Sequence, residues 1–194
     1  MSSPDKKPAA TPESTSAPNP LPKPKARTYA LRTKRLALSA ILAAMAMIFS
    51  YIEALIPLPV PIPGIKLGLA NLVIVIAIYR LGFKYAFIIN CVRILITGLL
   101  FTGLFGAIYS FAGGVLSIVV MYLLYRTGLF SMVGVSMAGG VFHNLGQLLV
   151  ACLIMSNFKL MSYFAVLLFS GLISGILIGI VAAVLYDKLP HLNV

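Results

Sequence analysis

From Leu36 onward the chain alternates long apolar runs with short polar breaks, and the breaks predict six membrane-crossing helices at about 36 to 56, 65 to 80, 85 to 101, 106 to 125, 129 to 155 and 161 to 186. Runs of about 20 residues suffice to cross a hydrocarbon core of about 30 Å. The pattern therefore predicts an all-α polytopic membrane protein built as a six-transmembrane-helix bundle. One break differs from the others: PLPVPIPGIKLGLAN, residues 57 to 71, sets four prolines at alternate positions ahead of Lys66 and Asn71. Proline fixes φ and cannot donate to a helix, and the residue before it is pushed toward extended geometry. Residues 57 to 65 are thus expected to form a stiff, non-helical cap with Lys66 and Asn71 beneath it.

Composition fits this organisation. Of the 194 residues 60% are hydrophobic and only 10% charged. In a soluble protein a net charge of +11 would suggest a nucleic-acid partner, but eight of the fifteen basic residues lie in the first 35 positions, beside the first apolar run. There they read as a topology signal and not as a nucleic-acid surface. Arg32, Lys34 and Arg35 place the N-terminus in the cytoplasm. The alternating loops then put Arg80, Lys84, Arg126 and Lys188 inside and Lys66 and Lys159 outside, so the chain is expected in the plasma membrane with both termini cytoplasmic. Residues 1–30 read as a basic, Pro- and Ser-rich disordered tail, since they have too few apolar side chains to offset the entropy of ordering. Residues 31–189 form the membrane domain and 190–194 a short cytoplasmic tail. The first apolar run starts too late and is too long for a cleaved signal, and stays as an anchor.

The scarce polar residues inside the spans carry the functional expectation, because an ionisable group in the bilayer is costly unless it is paired or faces a cavity. Glu53 falls near the outer end of the first span, Lys66 and Asn71 at the start of the second, and Asn90, Arg93 and Thr97 along the third. His143, Asn144 and Gln147 run outward from the middle of the fifth. Residues three and four apart share a helix face, so these groups can line facing walls of one pocket open to the outside. Gly139 and Gly140 would allow a close approach. Lys66 and Arg93 against Glu53 leave a positive surplus, which suits an anionic or carboxylate-bearing solute. A structural ion pair of Arg93 with Glu53, and a hydrogen-bonded core role for His143, are the plainer alternatives.

Small residues mark helix contacts, which in lipid depend on close packing. Gly171, Gly175 and Gly179 recur every four residues with Ser170 and Ser174 alongside. The fourth span has Ala112, Gly113, Gly114 and Ser117, and the first pairs Ser39 with Ala43 and Ala40 with Ala44. Cys91 and Cys152 sit in apolar runs and read as small hydrophobes.

Five separated stretches, PIPGIKLGLAN, RILITGLLF from Arg93, SFAGGVLS from Ser110, GVFHNLGQLLVA from Gly140 and SGLISGILIG from Ser170, resemble the membrane family labelled both Gx transporter and heptaprenyl diphosphate synthase component I, over about residues 34 to 187. The resemblance implies a protein similar to the substrate-binding S components of energy-coupling factor transporters. It implies six helices, an outward pocket under the first loop, and docking to a transmembrane coupling subunit driven by ATPases. In such subunits an Ala-x-x-x-Ala pattern on the first helix docks the partner, and here it falls on Ala40 and Ala44.

The residues weigh against the enzymatic half of that label. Elongation of prenyl diphosphates needs carboxylate clusters to hold Mg²⁺ on diphosphate oxygens, and the four acidic residues, Asp5, Glu13, Glu53 and Asp187, are dispersed. There is no Gly-rich phosphate loop followed by Lys and Ser or Thr. Two histidines and two distant cysteines suggest neither a metal site nor an activated nucleophile. The expectation is a non-enzymatic transport subunit without cofactor. The alternative is a non-catalytic membrane component associated with heptaprenyl diphosphate synthase, and a purely structural scaffold is the third.

Overall fold

The computed structural model describes residues 24–55 and 68–189. Among these the chain forms six α-helices and no strand: α1 (Pro24–Leu55), α2 (Leu69–Leu81), α3 (Phe83–Thr97), α4 (Gly103–Thr127), α5 (Met132–Ile154) and α6 (Phe164–Lys188). A π-helical turn, Gly98–Thr102, joins α3 to α4, and a 3₁₀ segment, Phe158–Tyr163, precedes α6.

Each predicted span has its helix, but the count of six membrane-length spans does not follow. By length and composition four helical bodies among the described residues can cross a membrane: Thr28–Leu55, Phe83–Thr127, Met132–Ile154 and Phe158–Lys188. Two features account for the difference. First, α2 has only 13 residues, about 20 Å at about 1.5 Å per residue, which is short of a core of about 30 Å. Second, the third and fourth predicted spans are joined by continuous helical backbone. That backbone doubles back: the rings of Phe83 and Tyr122 lie 4.9 Å apart, and a Cβ added to Gly114 would sit 2.7 Å from the Asn90 amide nitrogen. The reversal occurs at the π-turn, whose end, Gly103, has a φ of +69°, a conformation that glycine adopts without a Cβ penalty.

α1 begins at Pro24, so the boundary expected at 30 between tail and membrane domain lies inside a helix. The costly step in helix formation is the nucleus, and a long apolar helix extends readily into the residues before it. Residues 1–23, the proline cap at 57–65 and the C-terminal 190–194 lie outside the described residues.

The bundle is assembled around α2. Leu72 through Ile78 are all buried, as expected of a helix apolar on every side, and α1, α3, α4, α5 and α6 all pack on it. The outer surface reverses the usual rule for a soluble protein. Leu104 is 76% exposed, Phe169 64% and Ile173 61%, while Asn90, Ser117, Ser136, Asn144 and Gln147 are buried. An apolar exterior, with the scarce polar side chains turned into the bundle, suits hydrocarbon as solvent.

α5 and α6 make the closest pair. Cβ atoms at Gly175 and Gly179 would come within 2.6 Å of Met137 Cα and 2.7 Å of Val133 Cα, and one at Gly171 would meet the Gly140 backbone at 2.9 Å. The glycine stripe of the last span is therefore spent on packing inside the bundle. In α4, Gly113 faces His143 and Gln147 on α5 while Gly114 faces Asn90 and Ile94 on α3. Ala40 and Ala44 on α1 point away from the bundle and are exposed.

The two ends of the bundle differ. At one end Arg80 lies over the Tyr186 ring at 4.2 Å, Tyr79 meets Tyr125 at 4.6 Å, and Arg126 reaches Tyr122. This is a belt of aromatic and basic side chains of the kind found at membrane interfaces. The polar cavity lies toward the other end.

Candidate functional site

A cavity of about 310 Å³ opens between the N-terminal end of α2, the C-terminal end of α1 and the tip of the α3–α4 hairpin. Its position follows from how the chain enters α2. Gly68, with φ of +74°, ends the incoming segment and accepts the Asn71 N–H through its carbonyl at 2.8 Å. No side chain of α2 itself caps that end. The Gly68 N–H instead donates to the Glu53 carboxylate on α1, which places a negative charge at the positive end of the α2 dipole.

α3 supplies the countercharge. Arg93 lines the cavity together with Glu53. One guanidinium nitrogen, Nη2, donates to Asn90 Oδ1 at 2.9 Å. Buried Nε has no hydrogen-bond partner among the described residues. A buried donor left bare is costly unless a partner arrives from elsewhere, so Arg93 retains binding capacity toward an acceptor. One turn on, Thr97 also lines the cavity, and its hydroxyl donates to the Arg93 carbonyl at 2.8 Å.

The far wall comes from α5 and α6. His143 and Asn144 lie on the lining together with Gly140, Ser174 and Gly175. Asn144 is fixed from behind, its amide donating to the Leu167 carbonyl on α6 at 2.8 Å. The absence of side chains at Gly140 and Gly175 lets α5 and α6 close on each other while leaving room in front of them.

Five of the eight residues singled out from sequence, Glu53, Asn71, Arg93, His143 and Asn144, thus line one cavity. Two do not. Asn90 is buried against Gly114 of α4 and holds the Arg93 guanidinium from outside the lining. Gln147 packs against Gly113 between α4 and α5. Helical spacing places both on the expected face, but that face is wide enough to meet a neighbouring helix as well as the cavity. Lys66, the eighth, lies outside the described residues.

Ser50, Thr102 and Ser110, outside the set expected from sequence, also line the cavity, and so does Ser174, which in the sequence reads only as part of a packing stripe. The sequence holds a faint signal for one of them, since Ser50 stands three residues before Glu53 on the same face. Thr102 and Ser110 reach the cavity only because the hairpin folds over it, and no local pattern announces that. The tip also contributes Phe101, whose ring meets Tyr51 of α1 at 5.3 Å.

Chemically, the cavity offers a guanidinium with a bare donor, an imidazole, two amides, several hydroxyls and one carboxylate already used at a helix terminus. That set can orient an anionic or strongly accepting group by hydrogen bonds.

Residues 42–185 match the family model described as heptaprenyl diphosphate synthase component I. No curated protein and no solved structure matches the chain.

Proposed function

The chain belongs to the heptaprenyl diphosphate synthase component I family, and from that premise we propose that it is a membrane-embedded binding subunit that takes up a small polar or anionic solute from the outer side and passes it inward with the help of partner chains. The observation that carries this reading is the shared cavity, in which polar side chains of α1, α2, α3, α5 and α6 converge around an arginine whose buried Nε has no hydrogen-bond partner among the described residues. A buried polar group with spare capacity inside an apolar bundle is a functional feature by default. In this proposal Arg93 is the main charge partner, His143 and Asn144 orient the solute, Asn71 and Lys66 complete the wall, and Asn90 and Gln147 hold the wall in place. Glu53 anchors the start of α2 and balances Arg93.

The same proposal has six crossings, with the α3–α4 hairpin counted twice and α2 counted as one. Arg80, Lys84, Arg126 and Lys188 then face the cytoplasm of a plasma-membrane protein with both termini inside, as the bias of basic residues favours. Ala40 and Ala44 would dock an energy-coupling partner of the kind that serves S components. The chain would be neither an enzyme nor dependent on a cofactor.

The family description favours a second reading, in which the chain is a non-catalytic membrane component that assembles with another component of a prenyl diphosphate synthase. Native mass spectrometry of the protein extracted gently from its own membranes separates the two. Recovery of ATPase and coupling chains, or of a stoichiometric polar solute that the Arg93→Ala variant loses, supports the binding subunit. Recovery of a soluble prenyltransferase, with product formation requiring both chains, overturns it in favour of the second reading.

A further inference from the structure

α1 is longer than a membrane requires. Its 32 residues, Pro24–Leu55, measure about 48 Å at about 1.5 Å per residue, against a hydrocarbon core of about 30 Å. The excess lies at its N-terminal end. Leu38 lines an apolar groove of about 170 Å³ together with Arg80, Leu185 and Leu189, so α2 and α6 end level with Leu38. The fourteen residues from Pro24 to Ala37 extend past those ends as a helical arm of about 20 Å, on the side that carries the aromatic and basic belt. The family match begins at residue 42, so the arm lies outside the matched part.

The arm presents an apolar face with basic edges. Tyr29 and Leu36 are 66% and 67% exposed, and Ala30, Thr33 and Ala37 are exposed beside them. At about 3.6 residues per turn these five share one side of the helix. Arg32 flanks that side on one edge and Lys34 on the other, both exposed. The sequence has no acidic residue between Glu13 and Glu53, and Arg32 and Arg35, three apart, form a like-charge pair that disfavours the helix. A short helix in water is marginal even without such repulsion. The arm therefore gains from a cover that combines apolar side chains with negative charge.

An anionic lipid surface has both, but the arm is not shaped to lie on it. Tyr29 stands nine residues before Leu38, about 14 Å further out, and the head-group layer is about 5 to 8 Å deep on each side. No glycine or proline occurs from Lys25 to Leu55 and α1 is unbroken α-helix, so nothing kinks it down onto the bilayer. A second copy brings the wrong charge, since among the described residues Lys84, Arg126 and Lys188 are exposed at this end against Asp187 alone. Nucleic acid offers phosphates but no apolar counterpart for Leu36. A signal for topology needs basic residues near the membrane and no apolar face beyond it.

We propose that the arm of α1 is the docking site for a separate acidic protein on the side that the proposed topology makes cytoplasmic. The partner lays an amphipathic helix along Tyr29, Thr33 and Leu36 and sets carboxylates beside Arg32 and Lys34. This does not depend on what the polar cavity binds.

The chain contains no tryptophan, so a Tyr29→Trp variant of the full chain carries one fluorescent reporter on the arm. It is placed in phosphatidylcholine nanodiscs with and without phosphatidylglycerol, and titrated with a three-heptad helical peptide that has leucines along one face and glutamates on both flanks. The reporter should be open to acrylamide in both kinds of disc and become shielded and blue-shifted as the peptide binds. Affinity should fall as salt rises, and Leu36→Gln in the same background should weaken it about tenfold, the loss expected for one partly buried leucine. Peptides with lysine in place of glutamate, or serine in place of leucine, should leave the reporter open. Shielding by phosphatidylglycerol alone would assign the arm to lipid and overturn the proposal, and equal or tighter binding of an oligothymidylate would overturn it in favour of nucleic acid. No response to the glutamate peptide, or one that Leu36→Gln leaves unchanged, would also overturn it and reduce the basic residues to a topology signal.

Discussion

Gly175 on α6 and Ala44 on α1 both belong to small-residue stripes with a spacing of four, yet the first lies against the backbone of α5 and the second is exposed. The α4–α5–α6 side of the molecule is closed: three glycines of α6 meet α5 backbone, and Gly113 and Gly146 bring α4 and α5 together. The α1 side is open. α1 rests on α2 and α3, leaves a groove toward α6, and turns Ile41, Ile48 and Leu55 outward. One stripe holds the fold and the other is left on the surface. The cavity lies between the two, with a rigid wall carrying His143 and Asn144 and a more loosely packed wall carrying Glu53.

This contrast orders the expected effects of substitution. The largest is Gly175→Leu, which drives a side chain into the Met137 backbone and should cost about 3 kcal/mol or more. Size exclusion and thermal melting of the detergent-solubilised protein should show loss of the folded monomer, whereas a wild-type melting temperature would mean that α5 and α6 separate easily and that the closed side is not rigid. Arg93→Ala comes next. It removes a charge-assisted interaction of about 1.5 to 3 kcal/mol, so anion binding should weaken about 10- to 100-fold, with a fall in melting temperature because Glu53 and Asn90 lose their partner. Unchanged binding would take Arg93 out of the site.

Glu53→Gln tests the join between the two sides. Removing the charge that accepts from the Gly68 N–H should cost about 0.3 to 1 kcal/mol of stability, read as a small fall in melting temperature. A gain in stability would show that the carboxylate is a burden there. The smallest effect on the fold is expected from Ala40→Leu, within about 0.5 kcal/mol, because the added side chain meets only lipid. If the open side docks a partner, the same variant should abolish co-purification of that chain, and retention of the partner would assign α1 to lipid alone.

Much of this architecture was legible in the sequence, for reasons that can be traced residue by residue. Leu72 to Ile78 have no polar face, which marks a central helix, and Arg93, His143 and Asn144 stand out because an apolar segment has few other groups to satisfy. The limits are equally specific. Nothing local told Asn90 from Arg93 as a cavity residue, because both lie on one face of α3 and only Gly114 on the facing helix decides that Asn90 is covered. For the span count, hydropathy reports the apolar character of α2 but not that the described helix begins only at Leu69, nor that helical backbone runs on from α3 into α4.

The sequence by itself determined the solvent, the helical class and the short set of side chains that require an explanation in lipid, because hydrocarbon leaves backbone and polar groups few alternatives. The tertiary structure alone decided which of those side chains meet. The hairpin at Gly98–Thr102 brings Thr102 and Ser110 to the cavity, the glycines of α6 admit α5 and so bring His143 onto the same lining as Arg93, and the spacing of α1 from α6 leaves a separate apolar groove. Such contacts depend on the volumes of residues far apart in the chain, and periodicity along one helix carries no information about its neighbours.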